Sequence, residues 1–234
     1  MSENLRALWD FEDLDASEAR FRRQLERQEA DTRKAEVLTQ IARVHGLRGD
    51  FDQCARVLDE AERLGGDDPA VNVRLELERG RMFRSSGDSE AALPLFQSAF
   101  DRAVEAREYY LAGDAAHMCA ISTDDPELAE TWTERGLELA SREAEAKYWA
   151  GPLLNNLGWT AFEAGEYERA LDLFERALQA REQDPDNAEG IAWARYAVAE
   201  AQRELGRAED AAATMAPALA WAQQSGKPDD YFSA

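Results

Sequence analysis

The chain has 234 residues, and its 27 basic and 48 acidic side chains leave a formal net charge of −21. So negative a chain repels phosphate backbones and anionic membrane surfaces, which excludes nucleic-acid binding and membrane attachment as leading functions. With 44% hydrophobic residues there is enough apolar side chain to build a core, so wholesale disorder is excluded as well.

Composition points to helices. Ala occurs 43 times and Arg 24 times, both strong helix formers, while Lys occurs only at 34, 147 and 227. No segment alternates polar and apolar residues for long, so no strands are expected. The opening residues lack a basic stretch followed by an apolar run, and no apolar run reaches the roughly 20 residues of a membrane span. A cytoplasmic location is therefore expected. Cys54 and Cys119 read as small buried thiols of a reducing compartment.

In chain order, residues 14–30 predict a helix with Asp15 as its cap and with Phe21 and Leu25 on one face. A series of turns follows, anchored at Gly49, Gly87, Asp124, Gly165 and Gly206, spaced by 38, 37, 41 and 41 residues. Five positions past each anchor stand Cys54, Ala92, Ala129, Ala170 and Ala211; twelve past stand Ala61, Ala99, Gly136, Ala177 and Ala218. Seven residues are two helical turns, so both small columns share a face and admit a neighbouring helix closely. Nine past the anchors come Leu58, Phe96, Thr133, Phe174 and Met215, and seven before come Ala42, Gly80, His117, Gly158 and Ala199. Helices with small residues at fixed places on both arms predict repeated hairpins. Asp68-Pro69, Asp125-Pro126 and Asp184-Pro185 each place a capping Asp before a Pro at a first helical position. Pro94 and Pro217 fall inside predicted helices and should bend them.

The best copy, with Leu154, Leu157-Gly158, Ala161, Gly165, Tyr167, Ala170, Phe174 and Ala177, resembles the tetratricopeptide repeat. The resemblance covers about residues 35–224. It implies an all-α, right-handed α-solenoid of about five helical hairpins with an extra N-terminal helix. The expected organisation is an extension and capping helix at 1–34, an array at 35–224 and a tail at 225–234. The array divides at about 35–67, 68–107, 108–143, 144–184 and 185–224. The anchor spacings exceed the family's 34 residues, which predicts lengthened helices. Arg79 and His117 depart from the family pattern. The tail is expected to fray, unless Tyr231 and Phe232 fold back over the last hairpin.

No catalytic motif is present, and neither a metal site nor a cofactor is expected: there are two histidines, no glycine-rich phosphate loop and no nucleophile elbow. In the resembled family the first helices of the pairs line a groove, which implies ligand contacts from Asn155, Asn156, Trp159 and Phe162, from Trp193 and Tyr196, and from Arg74, Arg81 and Arg84, with Arg43 alongside. An Asn side chain both donates and accepts, and so can pair with a peptide backbone; Trp and Tyr supply contact area; an Arg cluster favours an acidic segment or a C-terminal carboxylate. The competing reading packs Trp159 and Trp193 against neighbouring helices and pairs the arginines with Glu76, Glu78 and Glu90. The leading expectation is a non-catalytic protein- or peptide-binding scaffold. The alternatives are a structural assembly or self-association module acting through the array ends, with a homo-oligomer through the C-terminal end, and a peptide-sensing regulator.

Overall fold

A computed structural model describes residues 5–184, 187–228 and 230–232. The described residues form eleven α-helices and two short 3-10 helices and no strand, so the fold is all-α. The chain divides into two compact units, residues 1–123 and 124–234. The division falls at the turn between the two helices that the sequence pairs at 108–143.

Unit 1 begins with the 3-10 helix Leu5–Leu8 and α1 (Leu14–Arg27). Two hairpins follow, α2 (Asp31–Leu47) with α3 (Phe51–Gly65) and α4 (Pro69–Ser85) with α5 (Ser89–Ala106), and then the single helix α6 (Tyr109–Ala120). The first helices α2, α4 and α6 lie side by side, and α1 packs on α2. In unit 2, α7 (Pro126–Arg142) and the 3-10 helix Ala144–Trp149 lead into two hairpins. These are α8 (Ala150–Glu163) with α9 (Tyr167–Arg181), and α10 (Ala188–Glu204) with α11 (Ala208–Gln224).

Helix boundaries follow capping chemistry, with three departures from expectation. Asp50, Asp68, Asp88 and Asp125 each accept a backbone N–H of the first turn, and Pro69 and Pro126 open their helices. The cap of α1 is Asp13, not Asp15, because the Asp13 carboxylate accepts Ala16 N at 2.8 Å. Asp15 points outward and pairs with Arg48, which also holds Glu18 and so ties α1 to the end of α2. Helix α10 starts at Ala188 behind Asn187, so the expected start at Pro185 is not met; Pro185 itself lies outside the described residues. The long 124-to-165 spacing is absorbed by the inserted 3-10 helix at 144–149, not by longer helices alone. Pro94 and Pro217 lie within α5 and α11, as the sequence places them.

The columns of small and large residues interlock inside the hairpins. A Cβ added at Gly80 would sit 2.5 Å from the Phe96 ring, and one added at Gly158 would sit 2.4 Å from Phe174. Both rings are fully buried. Neither glycine has a positive φ, so what excludes a side chain there is space, not backbone conformation. Ala42 and Leu58 occupy the corresponding columns in the first hairpin, both fully buried. Arg79, out of place by its residue type, sends its guanidinium to Glu62 at 2.8 Å and Asp59 at 3.3 Å on α3. Phe21 is fully buried, and Leu25 packs partly buried on the same core, so α1 covers the open side of α2.

His117 replaces the small residue of its column on α6. Burial drives its pKa down from 6.5 to about 4; Arg81, Arg43 and Arg84 lower it further, and Asp114 opposes them. The imidazole is therefore neutral at pH 7.

Two outcomes follow from this packing. Gly158→Ala gains helix propensity of about 1 kcal/mol yet lowers the unfolding free energy by about 1–3 kcal/mol, because the ring of Phe174 must move. Combining it with Phe174→Leu recovers part of the loss; strictly additive effects in urea unfolding would contradict the interlock. For His117, the unfolded chain binds a proton near pH 6.5, whereas the folded chain does so only near about 4. Stability therefore falls as pH drops through that window. The fall between pH 7 and pH 5 is steeper in the wild type than in His117→Gln, and parallel profiles would contradict the assignment.

Candidate functional site

Helices α2, α4 and α6 run adjacent in unit 1, and their facing residues enclose a cavity of about 250 Å³. Arg43, Gly46 and Leu47 line it from α2; Glu78, Arg81, Met82, Arg84 and Ser85 from α4; and His117 and Met118 from α6, with Ile121 just beyond. Cys54 reaches it from α3. Burial pushes the Cys54 thiol up to about 12, so it stays protonated and inert.

The three arginines of this cavity have different fates. Arg81 is nearly enclosed and bonds both carboxylates in reach, Glu78 at 2.7 Å and Asp114 at 2.5 Å. Burial pulls its pKa down, but Asp114 and Glu78 outweigh that and hold the guanidinium charged. Arg84 is exposed and donates only to the backbone oxygen of Ile121, at 3.2 and 3.3 Å. Arg43 contacts rings instead of acids: its guanidinium lies 5.4 Å from the centroid of Trp9 and 5.6 Å from that of Phe11. Burial, then repulsion from Arg81, lowers its pKa. Neither Arg43 nor Arg84 has a carboxylate within ion-pair distance among the described residues. Glu78, itself 4% exposed, keeps Oε2 buried without a hydrogen-bond partner.

The aromatic pair over Arg43 is built by the N-terminal segment. The Ser17 hydroxyl donates to Asp10 O at 2.8 Å and accepts Asp10 N at 2.7 Å, closing the turn before α1. Trp9 Nε1–H donates to Gln40 Oε1 at 3.0 Å, which fixes the indole on α2. Phe11 stacks on Trp9 at 4.8 Å with its plane 3° away from parallel, and remains 60% exposed.

Arg74, grouped with Arg81 and Arg84 from sequence, is not among the lining residues; it is half-buried on α4, where its charge acts on Glu36. The cluster read as one stripe is thus divided. Arg81 is held by acids, Arg84 faces the cavity, and Arg74 lies apart from it. Sequence reasoning did not bring in Trp9, Phe11 or Met118. A tryptophan and a phenylalanine two residues apart, ahead of the first predicted helix, were the available signal.

In unit 2, Asn155, Asn156, Trp159 and Phe162 are all half-buried on α8. Trp159 touches Phe162, Phe174 and Tyr196 at 5.2, 5.0 and 6.4 Å between centroids, so it belongs partly to the core and partly to the surface. Trp193 and Tyr196, half-buried on α10, are covered by the chain's own end. Trp193 packs on Tyr231 and Phe232, its Nε1–H donates to the Tyr231 hydroxyl at 3.2 Å, and Tyr196 stacks on Phe232 at 5.9 Å. Phe232 joins Ala192, Ala218 and Ala222 in a small core. Of the two possibilities open for the tail, the fold-back is the one seen.

Among the described residues no group of three or more His, Cys, Asp or Glu is placed to hold a metal, and no helix is long and apolar enough to cross a membrane. No curated protein sequence matches the chain. Solved structures that resemble it in fold include the following three. BtubC (BKLC) from P. vanneervenii is 18% identical with a TM-score of 0.69, over 96% of this chain and 94% of that one. Aspartyl phosphate phosphatase F from Bacillus subtilis is 16% identical with a TM-score of 0.68, over 99% and 61%. The apo quorum sensor NprR from B. thuringiensis is 16% identical with a TM-score of 0.66, over 94% and 63%. The chain thus spans under two thirds of the length of the latter two. At such identities the likeness is one of fold. Residues 109–183 match the family model described as tetratricopeptide repeat. The chain has the fold of the helical repeat proteins, and within it residues 109–183 match the tetratricopeptide repeat.

Proposed function

We propose that the chain is a non-catalytic scaffold that binds a protein or an extended peptide on the faces of its first helices. One observation carries the reading. Three successive first helices in unit 1 leave a cavity of about 250 Å³ whose rim includes two arginines without acidic partners among the described residues. A helical surface that only packed on itself would fill that space and pair those charges. On this reading Arg84 contacts ligand in unit 1, Arg81 shapes the seat, and Arg74 contributes at most to the surrounding field. In unit 2 the contacts are Asn155, Asn156, Trp159 and Phe162, with Trp193 and Tyr196 where the tail leaves them open. The similarity to NprR, also solved in complex with its cognate peptide NprX, supports a peptide as the class of ligand.

Self-association through the C-terminal end is the second reading. It is favoured by one observation: among the described residues, the apolar face of α10 and α11 is covered by Tyr231 and Phe232 of a short non-helical segment. Deleting residues 226–234 should then produce concentration-dependent dimers in sedimentation velocity. A truncated chain that stays monomeric would reject this reading.

The peptide reading is tested by panning a displayed random-peptide library on the immobilised chain. The wild type should enrich a family of peptides. Ser85→Trp, which fills the cavity without changing charge, should weaken the enriched peptides at least about tenfold with the helical circular dichroism intact. Trp159→Ala should weaken those that also engage unit 2. Absence of enrichment, or equal binding to Ser85→Trp and Trp159→Ala, would overturn the reading.

A further inference from the structure

Within that reading, on which this step rests, the structure assigns the cavity of unit 1 a ligand chemistry: we infer that it seats a single carboxylate on Arg43 and Arg84, with an aromatic side chain of the same ligand against Trp9 and Phe11.

The charge balance carries the first half. The groups facing the cavity are Arg43, Arg81, Arg84 and Glu78, with Asp114 bound behind Arg81. Among the described residues, Arg81 is the one cation that bonds both carboxylates. Arg43 and Arg84 have no carboxylate within ion-pair distance among the described residues, and only the one acid charge left over from Arg81 to offset their two, in a chain with 21 more acidic than basic side chains. Arg43 cannot shed its proton at neutral pH, so its burial beside a second guanidinium is a standing cost that an anion removes. His117, neutral at pH 7, adds no charge. Three cations against two anions leave one unit of positive charge, which a monoanion balances. A dianionic phosphate would overshoot and would face Glu78 and Asp114 at close range. Guanidinium also offers paired donors that match a carboxylate.

The aromatic pair carries the second half. Phe11 is the most exposed large hydrophobic residue among those described, at 60%, yet it is ordered by stacking on an indole that is itself hydrogen-bonded to α2. Its ring and the Arg43 guanidinium are 5.6 Å apart. A ligand whose carboxylate reaches Arg43 therefore brings its neighbouring side chain over Phe11. A ring there would gain offset or edge contacts with two aromatic faces. The apolar wall of Leu47, Met82, Met118 and Ile121 continues the seat inward, and methionine adapts to more than one shape.

A carboxylate beside an aromatic ring occurs in peptides in two ways, as a C-terminal group or as a Glu or Asp side chain. Three acetylated tripeptides separate them: Gly-Gln-Phe with a free C-terminus, Gly-Glu-Phe amide, and neutral Gly-Gln-Phe amide. Binding is read by calorimetry or by the Trp9 indole resonance. At least one acidic probe should bind about tenfold or more tighter than the neutral one, and the tighter of the two identifies the source. Arg84→Gln, at an exposed position where folding is safe, should reduce that preference to about threefold or less, and Arg43→Gln should do the same. Replacing Phe by Ala in the tighter probe should weaken it several-fold in the wild type but not in Phe11→Ala. Equal binding of acidic and neutral probes, with Ser85→Trp still blocking both, would overturn the carboxylate assignment and leave the peptide reading standing. No binding by any probe, together with an empty library selection, would overturn both.

Discussion

The interlock of a ring with a missing side chain holds the hairpins together. Phe96 fits only because position 80 has no Cβ, and Phe174 only because position 158 has none. Burying each ring contributes about 1.5–3 kcal/mol, and close approach of the two helix backbones adds dispersion contacts along their length. The same constraint fixes helix rotation. Once the glycine faces the ring, the rotation of α4 is set, and with it the placement of Arg81 and Arg84 along the cavity.

Function in this architecture follows from what is left over after packing. The second helices α3, α5 and α9 spend their small columns on their partners, with Cys54, Ala92, Ala99, Ala170 and Ala177 essentially fully buried. The first helices of unit 1 also carry larger and charged groups, and these do not close on one another. The result is a cavity whose charge is opposite to that of the chain as a whole. The long-range field of a chain with net charge −21 would slow an acidic ligand. On the proposed reading, the seat would select by short-range, desolvated contacts and not by steering. Several acidic residues elsewhere are engaged as caps or pairs: Asp50, Asp68, Asp88 and Asp125 on helix starts, Glu62 and Asp59 on Arg79, and Glu166 and Glu130 on Arg169.

Much of the fold was legible because it is written in residue size at fixed offsets. The columns from Cys54 and Gly80 onward locate the hairpins, and Asp68-Pro69 and Asp125-Pro126 locate two helix starts. Local competition was harder to read. Asp13 and Asp15 are both plausible caps, and the choice depends on Arg48, a residue 33 positions from Asp15 that recruits it elsewhere. The site was legible in kind but not in membership. A helical stripe shows that Arg74, Arg81 and Arg84 share a surface; it does not show that Asp114 takes up Arg81. Nor does periodicity reveal that Trp9 and Phe11, outside any helix, lie over Arg43. Likewise, Trp193 and Tyr196 read as open groove residues because the segment covering them, Tyr231 and Phe232, comes from a tail without helical pattern.

The account turns on two guanidinium groups kept ready for an acid. Arginine side-chain nitrogen resonances observed during titration with an acidic, phenylalanine-containing peptide test it most directly. The account predicts that Arg43 and Arg84 shift together and saturably, while Arg79 and Arg169, already engaged by carboxylates, stay in place. Shifts spread evenly over surface arginines, or confined to residues of unit 2, would contradict it.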